Sequence, residues 1–218
     1  MDPDAPTRQD RALEKQDAFF ERAVWIACWE MLRRGTPWSD VCDWCESHKE
    51  GWRAVAIGMA GVDSTSASNA GWRRMCFLAS QSNSASEYEA AVYGLLGGNV
   101  KAMQKISRTI DDHLYAYFST TLTRQFDQYI ATHFPERIPK ALAKQSGVDE
   151  GISDPEQAQQ TITELIYGLR KRSTTQRESV APIKLIQSYL LANEADSLVH
   201  TLGAVSYTHL TLPTNREV

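Results

Sequence analysis

The stretch Ile110 to Phe134, IDDHLYAYFSTTLTRQFDQYIATHF, decides the fold class of this chain. It contains neither proline nor glycine, and its apolar residues recur at intervals of three and four, the spacing of one face of an α-helix. These residues are Leu114, Tyr117, Phe118, Leu122, Phe126, Tyr129 and Ile130. The pattern predicts a long amphipathic helix with one broad buried stripe. Thr109 and Asp112 have capping-box-like spacing at its start, and the adjacent Asp111 and Asp112 would complement the helix dipole there.

The segments on either side of this helix show helical spacing as well. Gly97 with Gly98 predicts the end of one helix, and Asn99 predicts the cap of the next. The further predicted helices cover residues 8–34, 50–59, 70–79, 87–96, 154–171, 182–192 and 193–202. Two short helices are predicted as well, one with Thr36 as its N-cap and one from Asn99 to Ile106, and residues 140–144 are predicted as one helical turn. We find no alternating strand pattern up to residue 203 and no fixed repeat period. The sequence therefore predicts an all-α, irregular solenoid-like helix stack.

The last residues depart from this pattern. Residues 205–218, VSYTHLTLPTNREV, replace helical spacing by a run rich in threonine and leucine. This run resembles a translated adapter sequence, so we predict a helical solenoid fragment over residues 1–204 and a non-native tail over 205–218. If the tail is native, we expect an extended C-terminal segment.

Composition and charge exclude several classes of protein. Apolar residues make up 42% and charged residues 23%, which is a globular rather than a disordered composition. The formal net charge of −4 gives no reason to expect direct nucleic-acid binding. We find no apolar run long enough for membrane insertion and no secretory signal in residues 1–10. Four cysteines are too few for a disulfide framework, which favours a reducing compartment.

Catalytic signatures are missing from the sequence. It has five histidines but no H-E-x-x-H pair, no G-x-S-x-G elbow and no phosphate-binding glycine loop. We therefore predict no enzyme, no cofactor and no small-molecule substrate. The tryptophans, all within residues 25–72, are expected mostly in helix packing, and an exposed aromatic patch among them would be an interface candidate.

The cysteines offer the strongest alternative reading. Cys42 and Cys45 form a C-x-x-C pair, followed by His48 and, more distantly, by Cys76. This spacing occurs in zinc sites and in redox dithiols. However, the pair lies in a helical segment, whereas redox pairs follow a strand and zinc pairs occupy tight loops. We interpret the cysteines as apolar packing residues and keep a metal-binding or redox module as the alternative.

Three segments, in the same order, resemble the nuclear pore protein 84/107 family, and its fungal members above all. They are Trp44 to Ala54 (WCESHKEGWRA), Tyr93 to Asn99 (YGLLGGN) and Asp111 to Tyr129. The residues that carry the resemblance are Trp44, Trp52, Arg53, Gly98, Asn99, Asp112, Leu114, Tyr115, Tyr117 and Phe118, and we expect them to act in packing. Ile110 and Tyr115 depart from the family, which often carries tryptophan at both positions.

The resemblance implies a fold and a role that composition does not show. Members of the family are much longer, so this chain would be an internal fragment of a coatomer-related helical solenoid. The family bridges neighbouring nucleoporins in the Y-shaped outer-ring complex of the nuclear pore at the nuclear envelope, and it supports nucleocytoplasmic transport and mRNA export. A scaffold of a vesicle coat or tether has the same architecture and stays as a second alternative.

Overall fold

The prediction of an all-α protein is confirmed. A computed structural model describes residues 14–58, 68–82, 86–137 and 155–210, in which helices and turns but no strand occur. The helices are α1 Lys15–Arg33, α2 Trp38–Ser47, α3 Gly51–Gly58, α4 Ser68–Ala79, α5 Glu87–Gly97, α6 Val100–Ile106, α7 Ile110–His133, α8 Pro155–Lys171, α9 Gln176–Ser179, α10 Pro182–Leu191 and α11 Ala195–Leu210, with a 3₁₀ turn at Pro135–Arg137. Within the part of the chain described, no helix is long and apolar enough to cross a membrane.

The chain divides into two compact units. The first comprises residues 1–107 and 111–151, and the second comprises 108–110 and 152–218. In the first unit α1 packs against α2 and α5, α2 against α3, and α5 against α4 and α6. In the second unit α10 packs against α8, α9 and α11.

The core of the first unit is formed by side chains from the seven helices α1 to α7. Its fully buried members include Trp25, Cys28, Val41, Cys45, Ile57, Ala91, Val92 and Met103. Trp29 is also buried, while Trp38, Trp44, Trp52 and Trp72 are partly buried and packed against the same core. The tryptophans thus pack between helices, as their placement on amphipathic segments predicts.

Local capping explains where α5 and α6 begin and end. Ser86 is the N-cap of α5, and its hydroxyl accepts a hydrogen bond from the Glu89 amide at 3.1 Å. Gly98 ends α5 in the left-handed conformation with φ 75°, which glycine adopts without steric cost. Asn99 then caps α6 by accepting from the Ala102 amide at 3.4 Å, so the predicted Gly98–Asn99 boundary is confirmed.

Asn99 also joins α6 to the end of α4, because its Nδ2 donates to the Ser80 hydroxyl at 2.8 Å. Replacing Asn99 by alanine removes the hydrogen bonds to the Ala102 amide and to the Ser80 hydroxyl at a buried position. We expect the free energy of unfolding to fall by about 1–2 kcal/mol. Ser86→Ala, which removes a cap without breaking a link between helices, should cost less. Chemical denaturation of the two variants provides the measurement, and equal losses would contradict the linking role of Asn99.

Several predicted boundaries differ from the structure. The Thr36 cap is wrong, because α2 begins at Trp38 with Pro37 at its N-cap position and no side-chain cap. The final helix begins at Ala195 and continues to Leu210, so residues 205–210 are helical and the expectation of an extended segment is wrong there. The predicted boundary at residue 204 stays a prediction. The helices predicted to start at residues 154 and 182 begin at Pro155 (α8) and Pro182 (α10) in the structure. Predictions for residues 8–13, 59, 140–144 and 211–218 fall outside the described residues.

The predicted burial of α7 holds only for its N-terminal half. Ile110, His113, Leu114, Ala116 and Thr120 are buried, but no residue of α7 beyond Thr120 is. Periodicity shows that a helix has an apolar face, but it does not show whether another element reaches that face. The prediction of one continuous buried stripe is therefore wrong.

Candidate interaction surface and its buried anchor

The first unit contains a fully buried arginine. Arg53, in the first turn of α3, forms ion pairs with Glu50 and with Glu21 of α1. Its guanidinium lies 4.8 Å from the ring centroid of Trp25 and 4.4 Å from that of Trp52, so it is held between two indole rings. A cation in this position is stabilised by two carboxylates and by two aromatic faces.

The two indoles are fixed by the same carboxylates. Trp25 Nε1 donates to Glu21 at 2.9 Å, and Trp52 Nε1 donates to Glu50 at 2.9 Å. Sequence reasoning selected Trp52 and Arg53 but not their acidic partners. The spacing of Glu50 and Arg53, three residues apart in a helical segment, is a signal that could have indicated the pair.

We call Arg53 together with Glu21, Glu50, Trp25 and Trp52 the Arg53 cluster, and burial raises the pKa of two groups on α5 beside it. Glu89 on α5 has a raised pKa, chiefly because it is buried and also because Glu21 lies near it. Burial likewise raises the pKa of Tyr93, whose ring lies 5.5 Å from that of Trp25. The cluster therefore ties α1, α3 and α5 together through charge and aromatic packing.

A groove of about 460 Å³ opens on another side of the first unit. Its apolar and aromatic lining includes Leu32, Trp38, Trp72, Leu95, Leu96 and Tyr115, with Arg73 as the charged member. The Tyr115 hydroxyl approaches the Leu32 carbonyl at 3.5 Å, and its ring packs edge-on against Trp29. Tyr115 thus contributes both to the groove wall and to the attachment of α7.

Two ion pairs hold α7 beside the earlier helices. Arg33 Nη1 of α1 lies 2.5 Å from Asp112 Oδ1, which places the predicted motif residue Asp112 in contact between helices. Arg73 of α4 forms an ion pair with Asp127, and its guanidinium lies 5.3 Å from the Phe126 ring centroid. Burial raises the pKa of Asp127, and the positive charge of Arg73 offsets part of this increase.

From Phe118 to Tyr129, α7 presents large apolar side chains to solvent. We call them the α7 stripe, and their exposed fractions are 42% for Phe118, 68% for Leu122, 37% for Phe126 and 52% for Tyr129. Tyr117 is half-buried, with its ring edge-on to Phe118. Contiguous exposed side chains of this kind mark interaction surfaces or association-prone faces. This exposed patch lies on α7, whereas the sequence pointed to the tryptophan-rich segment as the place for an exposed aromatic patch.

Exposure of the α7 stripe predicts concentration-dependent self-association of the isolated chain. Leu122→Glu places a charge in the centre of the stripe and should shift the protein toward monomer. The matched control is Val55→Glu on α3, where the side chain is 72% exposed and outside the stripe. Sedimentation velocity over a range of concentrations measures the effect. A wild-type chain that stays monomeric and melts in one sharp transition would contradict the prediction.

The structure does not bring the proposed metal ligands together. No group of three or more His, Cys, Asp or Glu residues suited to a metal ion occurs among the described residues. His48 instead stacks on Trp44 with ring centroids 4.1 Å apart, and its Nδ1 lies 2.8 Å from the Trp44 carbonyl oxygen. Cys42 contacts the Ala54 carbonyl, and Cys76 is buried. The metal-binding alternative is therefore not supported.

Comparisons with known proteins agree with the resemblance seen in the sequence. The model of the family described as Nuclear pore protein 84 / 107 matches residues 1–211. Nucleoporin NUP84 of Chaetomium thermophilum is 34% identical over 212 residues, covering 93% of this chain and 22% of that protein. Nucleoporin nup107 of Schizosaccharomyces pombe is 22% identical over 217 residues, covering 91% of this chain and 25% of that protein.

The similarity extends to a mammalian relative. Nuclear pore complex protein Nup107 of Rattus norvegicus is 22% identical over 218 residues, covering 91% of this chain and 22% of that protein. The chain therefore spans about a quarter or less of the length of these relatives. Because the family match extends over nearly its whole length, the chain belongs to the nuclear pore protein 84/107 family.

Proposed function

We propose that this chain is a segment of a structural scaffold of the nuclear pore complex. The observation that carries the proposal is the family match over residues 1–211. The all-α architecture supports it, because stacked helices leave extended faces that serve as binding surfaces. The segment acts through packing and carries out no catalysis.

The finer role that we propose is bridging between neighbouring nucleoporins of the Y-shaped outer ring at the nuclear envelope. Through that ring the segment contributes to nucleocytoplasmic transport and mRNA export. Its contacts are with other helical scaffold proteins rather than with nucleic acid or a membrane. The groove and the α7 stripe support this role, since tryptophan, tyrosine and arginine side chains are enriched among the residues that dominate the energetics of protein interfaces.

Affinity capture from cells tests this role. The chain is expressed with a tag, purified under mild conditions, and its co-purifying proteins are identified by mass spectrometry. Recovery of outer-ring nucleoporins, together with a fluorescent rim at the nuclear envelope, is the expected result. Recovery of vesicle-coat subunits, together with cytoplasmic fluorescence, would favour a scaffold of a vesicle coat or tether instead. If neither nucleoporins nor vesicle-coat subunits are recovered, both scaffold roles are contradicted.

A paired comparison identifies the surface that makes the contact. Leu122→Glu should reduce the recovery of nucleoporins at least several-fold, whereas Val55→Glu should leave it unchanged. Circular dichroism of both variants verifies that helix content is retained. Equal recovery with both variants would place the contact away from the α7 stripe.

A further inference from the structure

The structure pairs two cysteines that are remote in sequence. Cys28 on α1 and Cys45 on α2 have their sulfur atoms 3.7 Å apart, and both side chains are fully buried. The C-x-x-C spacing pointed to Cys42 and Cys45 instead. Cys42 is only partly buried, and its thiol donates to the Ala54 carbonyl oxygen at 3.4 Å.

We propose that Cys28 and Cys45 are a hydroperoxide-sensitive dithiol that closes to an intramolecular disulfide between α1 and α2. The two sulfur atoms need to approach by less than 2 Å to reach a bond length of about 2.05 Å. The sulfur atoms are already in contact, and this contact is the geometric observation on which the proposal rests. The inference is independent of the proposed scaffold role.

The surroundings of the pair favour the first chemical step at Cys45. The pKa of Cys45 is lowered, first by the hydrogen bond with Cys28 and also by the positive charge of Arg53, while burial and the charge of Glu50 act in the opposite direction. The same hydrogen bond and burial raise the pKa of Cys28, so Cys28 keeps its proton. Burial raises the pKa of Cys76 to about 12, which leaves Cys76 a poor competitor.

The reaction consumes one hydrogen peroxide and both thiols. The Cys45 thiolate sulfur attacks one peroxide oxygen, the O–O bond breaks, and the departing hydroxide takes a proton to become water. The Cys28 sulfur then attacks the sulfenic sulfur of Cys45, the S–S bond forms, and the S–O bond breaks. The leaving oxygen takes the Cys28 proton and departs as a second water. Two sulfur atoms are oxidised and the peroxide is reduced.

Peptide mapping of the folded 218-residue chain after peroxide treatment tests the proposal. Remaining thiols are alkylated in denaturant, and the protein is digested with trypsin. The expected product joins peptide 23–33, which contains Cys28, to peptide 35–49, which contains Cys42 and Cys45, and its mass is the sum of the two peptides with Cys42 alkylated, less two hydrogen atoms. Cys42→Ser should retain this product and Cys45→Ser should abolish it.

Two comparisons make the test specific to the native geometry. In denaturant the short separation of Cys42 and Cys45 should favour a bridge within peptide 35–49, since loop closure costs least there. The same internal bridge in the folded protein would overturn the proposal. So would oxidation of Cys42 or Cys76 at peroxide doses that leave Cys28 and Cys45 reduced. Fragmentation of the joined wild-type peptides shows which of Cys42 and Cys45 carries the alkyl group and which carries the bridge, so the test stands even if Cys45→Ser does not fold.

Discussion

Replacing Arg53 by methionine is expected to lower the free energy of unfolding by about 3–5 kcal/mol, the largest effect of any single change that we predict. Methionine fills much of the same volume but leaves the buried carboxylate of Glu50 and the nearby carboxylate of Glu21 without their cation. It also removes the charge between the rings of Trp25 and Trp52. Urea or guanidinium denaturation monitored by circular dichroism and by tryptophan fluorescence measures the loss.

Arg34→Met provides the matched control. Arg34 also pairs with a glutamate, Glu30, at 3.1 Å, but its side chain is 71% exposed. Exposed pairs contribute between zero and about 1 kcal/mol, so this variant should unfold almost like the wild type. Similar losses for Arg53→Met and Arg34→Met would show that the buried cluster does not hold the first unit together.

A double variant separates the charge from the packing. Arg53→Met combined with Glu50→Gln removes the cation and one buried carboxylate, yet the glutamine can still accept the Trp52 indole hydrogen bond. We expect the double variant to be more stable than Arg53→Met alone, because one uncompensated charge has gone. A double variant that is less stable by the full sum of the two single losses would contradict this account.

Replacing Gly97 by alanine should cost about 3 kcal/mol, the second largest effect. A Cβ atom at Gly97 would lie 2.4 Å from the backbone nitrogen of Phe77 and 2.9 Å from the Arg73 carbonyl oxygen. Both atoms belong to the backbone of α4, so no side-chain rotation relieves the overlap and the two helices must separate. Thermal and chemical denaturation measure the loss, and retained helix content at low temperature would show that the variant still folds.

Gly168→Ala is the control for the substitution itself. Gly168 lies in the interior of α8, and a Cβ there meets nothing within 4 Å. Alanine is the better helix former, so this variant should be stabilised by up to about 1 kcal/mol in the second unit. Gly97→Ala with wild-type stability would contradict the close approach of α4 and α5.

Much of the fold was predictable from the sequence because helix ends depend on local chemistry. Gly98 and Asn99 mark a boundary by their own backbone and side-chain preferences, and Pro155 and Pro182 mark helix starts in the same way. Thr36 failed as a cap because Pro37 occupies the N-cap position itself and the helix begins one residue later. Local rules thus predicted most helix ends to within two residues, but they missed the short helix α9 and the extension of α11 to Leu210.

The family, too, was predictable from residues in order along the chain. Trp52, Arg53, Asn99 and Asp112 carried part of the resemblance, and the structure places them in contacts between helices or at helix caps. Their shared role in packing remains a prediction until variants such as those above are measured. Trp44 differs from these residues, because its ring stacks on His48, four residues further along the chain. The helical periodicity of the sequence did not indicate this contact.

By itself, the sequence determined that this protein is a set of helices and where most of them begin and end, because these properties arise from neighbours within about one helical turn. Only the tertiary structure decided that Arg53 is buried between two indoles, that Cys45 meets Cys28 rather than Cys42, and that the stripe of α7 faces solvent. Each of these depends on which helices pack together, and helical spacing gives every helix an apolar face without specifying its partner.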